Sequence, residues 1–392
     1  MVTAKDVNAV LKNQVDPVDP IDPIAAVSHS DPYPYYAALR AKSGVHWFAD
    51  LQLWALVNAP LITDALNMEQ AKVRPAGAPV PAFMHGTQAG AVFSRLARMC
   101  DGPLHTLHRA RTMLLMRKLD GPLVANGAAQ VVGIVASQWR EHRNSAALNE
   151  LIRALPVMSI LAALGFAPHC FTAMLACTDA WVAGLSPLAT DAQRAAAIAA
   201  MNDLLLLLAE NGVNGLDDSA ALVAVLMQPH EATAGLIGAG LLRLAGDSGL
   251  RNAAVAGTLD WGQFGTEVLR HDPPIQNTRR VMAATASFDG QQICAGETVL
   301  LVLASAARDL PVTDAPDEFR LHRTSATALP LGAGAHACPG GPAALAIAAC
   351  AWQHIAKHAG ADGLAAMARG VSWRSSVNAR IPTFASPGSA HD

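Results

Sequence analysis

Charge is scarce in this chain. Only 15% of its 392 residues are Asp, Glu, Lys or Arg, and the formal balance is -3. Nothing in that balance suits neutralisation of phosphates, so a nucleic-acid partner is excluded. Paired cysteines are lacking as well. Six cysteines lie scattered at 100, 170, 177, 294, 338 and 350, and none forms C-x-x-C. A chain of this size needs no disulfide framework, and His169, Cys170 and Cys177 match no common zinc spacing. A reducing cytoplasm is the expected home. The longest apolar runs, near 155–167 and 204–209, fall short of the roughly 20 residues that cross a bilayer, so no membrane span is expected. The first residues show no charged segment leading into an apolar one, so no secretory signal is expected either. No repeat of solenoid length is visible.

What the chain does have is apolar bulk: 52% hydrophobic residues and a mean hydropathy of +0.26, enough for a large buried core. Residues 122–215 carry helical periodicity almost throughout. Val45–Trp47 and Leu53–Val57 are short β-prone runs that read as a hairpin, and Thr298–Leu303 reads as a strand. The tail from Val371 to Pro382 reads as a terminal hairpin. Residues 70–100 are rich in proline and glycine and read as an irregular loop. Residues 1–28 carry repeated Asp-Pro pairs and read as an extended arm. The remainder, 29–392, reads as one domain.

The densest chemistry lies in Leu331-Gly332-Ala333-Gly334-Ala335-His336-Ala337-Cys338-Pro339-Gly340-Gly341. Its glycines let the backbone bend and pass close to something flat. An apolar helix follows, from Pro342 to Ile355. Cys338 then precedes a helix N-terminus, where unpaired N–H groups and the macrodipole favour a thiolate. Taken alone, such a cysteine is equally a small buried hydrophobe in an ordinary turn.

Three other stretches carry signals. Asp101 is a candidate N-cap with Pro103 in the first turn, and His105 and Arg109 then share a helix face suited to an anion or to solvent. Asp217 to Leu244 is apolar on nearly all faces and reads as a long buried helix, kinked or broken at Pro229. Glu231 lies within it, and a buried acid needs a partner or a task. Glu267 and Arg270 stand three apart on a helix that Pro273 and Pro274 force to end.

In order and spacing these elements resemble the cytochrome P450 family. The family loop F-x-x-G-x-H-x-C-x-G appears with Leu331 in place of Phe. Its D-P-P-x-H-T-x-x-R motif appears with Gly102 in place of the first proline. Its A-G-x-E-T-T motif appears as Gln228-Pro229-His230-Glu231-Ala232-Thr233. E-x-x-R is Glu267 to Arg270, and Asp31-Pro-Tyr-Pro-Tyr-Tyr-Ala-Ala-Leu-Arg40 is similar to the start of bacterial members.

The resemblance implies a mainly α fold with a small β portion. Haem b would lie between a long kinked central helix and the cysteine-loop helix. Cys338 would be the iron ligand, within a haem-binding loop that includes Gly332, His336 and Gly340. His105, Arg109 and either Arg279 or Arg280 would meet the propionates, the spacing favouring Arg280. Glu231, Ala232 and Thr233 would occupy the catalytic positions that deliver protons. Pro229, Gly235, Pro274, Ile275 and Gln276 would line the substrate pocket, and the turn of the terminal hairpin would touch substrate. Glu267 and Arg270 would be structural.

The implied activity is monooxygenation of a small organic molecule, in specialised metabolism, with O2. Electrons would come from NAD(P)H through a separate ferredoxin and ferredoxin reductase, because no flavin or iron–sulfur motif is present. A basic surface from Arg109 to Lys118 would dock the carrier. Ala232 leaves three readings open. Substrate or water supplies the missing hydroxyl, Thr233 reaches in across a kink, or the enzyme uses peroxide or another haem reaction. A haem sensor and a haem-free helical interaction protein are the non-enzyme alternatives.

Overall fold

The computed structural model describes residues 20–119, 121–142, 144–310, 313–323 and 329–385. Positions 1–19 of the expected arm lie outside the described residues. Its end, Ala25–Ser28, forms a 3-10 turn that buries Ala26 and Val27.

The helices are α1 Tyr33–Lys42, α2 Ala59–Asn67, α3 Gln88–Phe93, α4 Gly102–Lys118, α5 Gly121–His142, α6 Ser145–Ala163 and α7 Phe171–Leu185. They continue as α8 Asp191–Glu210, α9 Leu216–Gly246, α10 Ser248–Ala256, α11 Trp261–His271, α12 Leu303–Ala306 and α13 Gly341–Ala366. Several starts are written in the sequence. Asn58, Asn144, Asp247 and Asp260 each accept a backbone N–H at an N-cap, and Thr190 with Gln193 completes a capping box.

The strands are β1 Val45–Phe48, β2 Leu53–Leu56, β3 Ala71–Lys72, β4 Thr278–Met282, β5 Ala286–Phe288, β6 Gln291–Ile293, β7 Thr298–Leu301, β8 Val371–Trp373 and β9 Pro382–Phe384. One sheet runs in the order β1-β2-β7-β4-β3, and β5-β6 and β8-β9 form separate pairs. The expected first hairpin is β1 against β2, antiparallel, with Trp47 opposite Trp54. β2 then pairs with β7 in parallel, Trp54 opposite Val299, which ties the first sixty residues to the last hundred. The expected terminal hairpin is β8 against β9.

The main core is helical. It joins α3, α5 to α9, α11 and α13, and smaller cores lie under the sheet and between the sheet and α1. The central helix α9 is one α-helix that runs through Pro229 without a break. It packs closely on α13 because Gly240 has no side chain. A Cβ there would stand 2.3 Å from the Trp352 indole, whose Nε1 donates to the Ile237 carbonyl at 2.8 Å.

The expectation that no apolar stretch reaches membrane-spanning length is corrected by the helices themselves. α6, α8 and α9 are each long and apolar enough by length and composition. Single polar residues interrupt the runs in the sequence without ending the helices. The fold buries 67% of the apolar window of α6 and 78% of that of α9, but only 28% of that of α8.

Candidate active site

The loop before α13 is closed by its own backbone. The Cys338 N–H donates to the Leu331 carbonyl at 2.7 Å, and Gly332 takes φ +72°, a left-handed conformation that glycine adopts without a steric cost. Gly340 is the N-cap of α13 and Pro342 lies in its first turn. Cys338 remains exposed and lines a cavity of 1240 Å³. Leu331, Gly332 and His336 share that lining, and so do Glu231, Ala232 and Leu236 of α9. The cysteine loop and the central helix therefore face one space.

Cationic and hydrogen-bonding groups gather around the loop. Arg109 donates to the Ala337 carbonyl at 2.7 Å. The His105 ring lies 4.3 Å from the His336 ring, and the buried Nε2 of His105 has no partner. Burial lowers the pKa of His336 to about 4, with His105 and Arg280 adding to the effect and Asp101 opposing it. Arg280 is 5% exposed, and among the described residues its side-chain bonds go only to Thr278 Oγ1 and the Arg279 carbonyl. A buried guanidinium without a carboxylate calls for an anion. Arg279 also lines the cavity, but only Arg280 acts on His336.

These residues fit haem b. A cysteine on a closed loop opens into a large cavity, and Arg109 and Arg280, neither paired with a carboxylate among the described residues, sit beside it for two propionates. Asp101 occupies the N-cap position of α4, but its carboxylate does not cap the helix. It accepts from the Val73 N–H at 3.0 Å and faces His336 Nε2 at 3.4 Å, which orients the loop histidine instead.

On α9 the expected positions divide. Glu231 and Ala232 line the cavity. Thr233 does not: it is fully buried on another face, and its hydroxyl has no partner. Pro229 is also off the lining. Gly235 is a packing site, not a pocket position, because a Cβ there would stand 2.6 Å from the Arg380 carbonyl and 2.8 Å from Pro274. Pro274 and Ile275 line the cavity as expected. Gln276 does not. It is buried between the Tyr36 hydroxyl, from which it accepts at 3.2 Å, and the Pro273 carbonyl, to which it donates at 2.7 Å.

Sequence reasoning missed a chain of ionisable groups in the cavity. Asp179 of α7 meets both Arg153 of α6 and His230 Nε2 of α9. Glu231 is paired with Arg374, which follows β8. Residues 374–378 line the cavity, as expected for the turn of the terminal hairpin. His230 is buried and its pKa falls to about 4, chiefly through desolvation. Since Nε2 faces the Asp179 carboxylate, the neutral ring carries its proton there and leaves Nδ1 as an unpartnered acceptor. Arg98 and Arg74 also line the cavity. Apart from His230 and Glu231, which lie in the motif of the central helix, these residues belong to no motif, and only the fold brings them together.

Glu267 and Arg270 form a buried bidentate pair. Arg270 Nε and Nη2 reach the two carboxylate oxygens at 2.8 and 2.7 Å. Arg323 Nε and the Arg320 N–H each donate to Glu267 Oε1 at 2.9 Å. Burial pushes this carboxyl up, but the hydrogen bonds outweigh it and leave its pKa below the ordinary value. Arg270 also donates to the carbonyls of Pro316 and Glu318, so the pair holds the segment that leads to the cysteine loop.

Comparison with known proteins bears on this site. The family model for cytochrome P450 matches residues 264–350, which span the Glu267–Arg270 pair and Cys338. Over 348 residues the chain is 24% identical to cytochrome P450 144 of Mycobacterium tuberculosis, covering 80% of each protein. It is 28% identical over 347 residues to the cytochrome P450 monooxygenase PikC of Streptomyces venezuelae, again 80% of each. The crystal structure of CalO2 superposes with a TM-score of 0.74 at 18% identity, covering 95% of this chain and 100% of that one, a likeness of fold.

Proposed function

We propose that the chain is a haem b monooxygenase of the cytochrome P450 family and that it oxidises a small organic molecule of specialised metabolism in the 1240 Å³ cavity. The observation that carries the reading is the single cavity shared by Cys338, the donors around its loop and the α9 wall. Thiolate-bound haem supplies the activation of O2 and the transfer of oxygen to substrate. Cys338 holds the iron, while Arg280, Arg109, His105 and His336 bind the propionates. The apolar wall at Leu236, Ala232 and Leu331 excludes water from the reacting end. Glu231 moves the proton at its carboxylate once it leaves Arg374, and a hydroxyl of the substrate or a water stands in for the side chain that Ala232 lacks.

Electrons come from a ferredoxin and its reductase in the cytoplasm. The docking face we assign is α4, next to the cysteine loop. Leu104, Leu107 and Leu114 are exposed there, with Arg117 and Lys118 exposed at its end. Apolar contacts inside a basic rim suit a small acidic carrier. The basic stretch is narrower than the expected Arg109 to Lys118, because Arg109 binds the loop and Arg111 is paired with Asp217 and Asp218.

A second reading is favoured by one observation: α9 brings no hydroxyl to the cavity, since Ala232 lines it and Thr233 lies elsewhere. It is a peroxide-using enzyme. Turnover is compared with NAD(P)H, ferredoxin and reductase, and with hydrogen peroxide alone, for the native chain and Ala232→Thr. The leading reading expects the redox chain to win and the variant to keep turnover while releasing less peroxide. Faster turnover with peroxide, unchanged by the variant, selects the second reading.

A further inference from the structure

The cavity holds two carboxylates, Asp179 and Glu231, and both are satisfied, by Arg153 with His230 and by Arg374. Arg98 and Arg74 line the same space. Arg98 comes from the turn Ala97–Met99 just before α4. Its side chain lines the cavity, within electrostatic reach of Glu231 and of Cys338. Among the described residues no hydrogen bond or ion pair reaches its guanidinium. Arg74 gives one N–H to the Ala78 carbonyl at 2.8 Å and lies 5.6 Å from the Phe93 ring, while its buried Nε has no partner.

A guanidinium keeps its charge in any surroundings, so desolvating it without an anion is costly. Arg98 and Arg74 both line the cavity and, among the described residues, neither is paired with a carboxylate, so a ligand that covers them must bring the anion. A carboxylate fits, because the planar fork of Arg binds it bidentately. It has two sources, a haem propionate or a substrate. Arg280, Arg109, His105 and His336 already surround the cysteine loop on the propionate side. Arg98 differs from them in also sensing Glu231 on α9, where substrate binds.

Resting on the monooxygenase reading, we propose that Arg98 anchors the carboxylate of an acidic substrate, with Arg74 as its second cation. The substrate class is therefore organic acids that carry an apolar body toward the Leu236 and Ala232 wall. Arg98 is a specificity-determining residue, and neutral analogues of the same shape bind more weakly.

The test uses the purified haem-loaded protein and ω-(imidazol-1-yl)alkanoic acids of graded chain length, each with its methyl ester. Imidazole binds the iron and shifts the Soret band, so affinity is read without knowing the natural substrate. In the native protein at least one acid is expected to bind roughly tenfold tighter than its ester, about 1.4 kcal/mol. Arg98→Gln removes that preference and leaves ester affinity and haem content unchanged, and Arg98→Lys keeps part of it. Equal binding of acid and ester across the series overturns the proposal, as does a preference that survives Arg98→Gln. Haem loss or a shifted iron potential in Arg98→Gln, with the acid preference kept, assigns Arg98 to a propionate instead. Absence of any Soret band in the native protein is a different result, the failure of the monooxygenase reading.

Discussion

The carboxylate of Glu231 on the central helix is paired with the guanidinium of Arg374 on the C-terminal hairpin. The acid proposed for the proton path is thus held by a segment 143 residues away. The Arg374 and Glu231 side chains are 41% and 30% exposed, so the pair adds little stability, on the order of 1 kcal/mol or less. Its consequence is functional. Glu231→Gln is expected to lower kcat at least about tenfold, the lower range for a positioned acid. Arg374→Gln, which frees the carboxylate, is expected to fold normally and to retain turnover. Oxygen uptake measured against product distinguishes the two variants. An equal loss in both would make the pair itself the working unit.

The α4 face gives a second prediction. Replacing Arg117 and Lys118 with Glu reverses two exposed charges next to the cysteine loop. Ferredoxin-driven turnover is expected to fall several-fold at low salt and the difference to shrink at high salt, as screening of surface charges requires. Turnover supported by peroxide is expected to stay the same. Ferredoxin-driven turnover that is unaffected at low salt would remove α4 as the docking face.

Glu267 and Arg270 predict a loss of stability. Removing one member of a buried, hydrogen-bonded pair leaves a charge without its partner, at about 3–5 kcal/mol. Here the loss is shared by Arg323, the Arg320 amide and the carbonyls of Pro316 and Glu318. Glu267→Ala is expected to lower the urea midpoint and the haem content together. Native haem content with a native midpoint in that variant would contradict the structural role.

Acid should weaken the same region through His271. Arg308 donates to its Nδ1 at 3.0 Å, and its Nε2 donates to the Asp317 carbonyl at 3.2 Å, so the folded ring is neutral. Burial, then Arg308, Arg243 and Arg270, hold its pKa well below 6.5. The unfolded chain takes up a proton first as pH falls, so stability is full above the ordinary histidine value and is lost below it. The slope approaches about 1.4 kcal/mol per pH unit for one group. Thermal unfolding of the native chain should drop in that range, and that of His271→Gln should drop less. Parallel curves would assign the acid sensitivity elsewhere.

Fold and site were legible in the sequence to different degrees. The hairpin at β1-β2, the helical 122–215 region and the helix after Cys338 follow from local periodicity, and each formed as read. The positions of Cys338, Glu231 and Arg280 follow from motif spacing, and the cavity contains all three. What spacing does not give is which face of a helix meets which neighbour. Thr233 is adjacent to Ala232 in sequence, yet one step of a helix turns it about 100° away. Motif spacing points Gly235 and Gln276 into the pocket, but close packing of Gly235 against Arg380, Ile381 and Pro274, and of Gln276 against Tyr36, claims them. Arg98, Asp179 and Arg374 belong to no motif, because their roles arise from contacts made between distant segments.

The most direct test of the account is the difference spectrum of the reduced protein with and without carbon monoxide, for the native chain and for Cys338→Ser. The account predicts the far red-shifted Soret band of a thiolate-bound haem in the native protein and its loss in the variant, where any haem retained shows a band at the ordinary position. A native protein with no haem band, or one whose red-shifted band persists in Cys338→Ser, would contradict the assignment of Cys338 as the iron ligand.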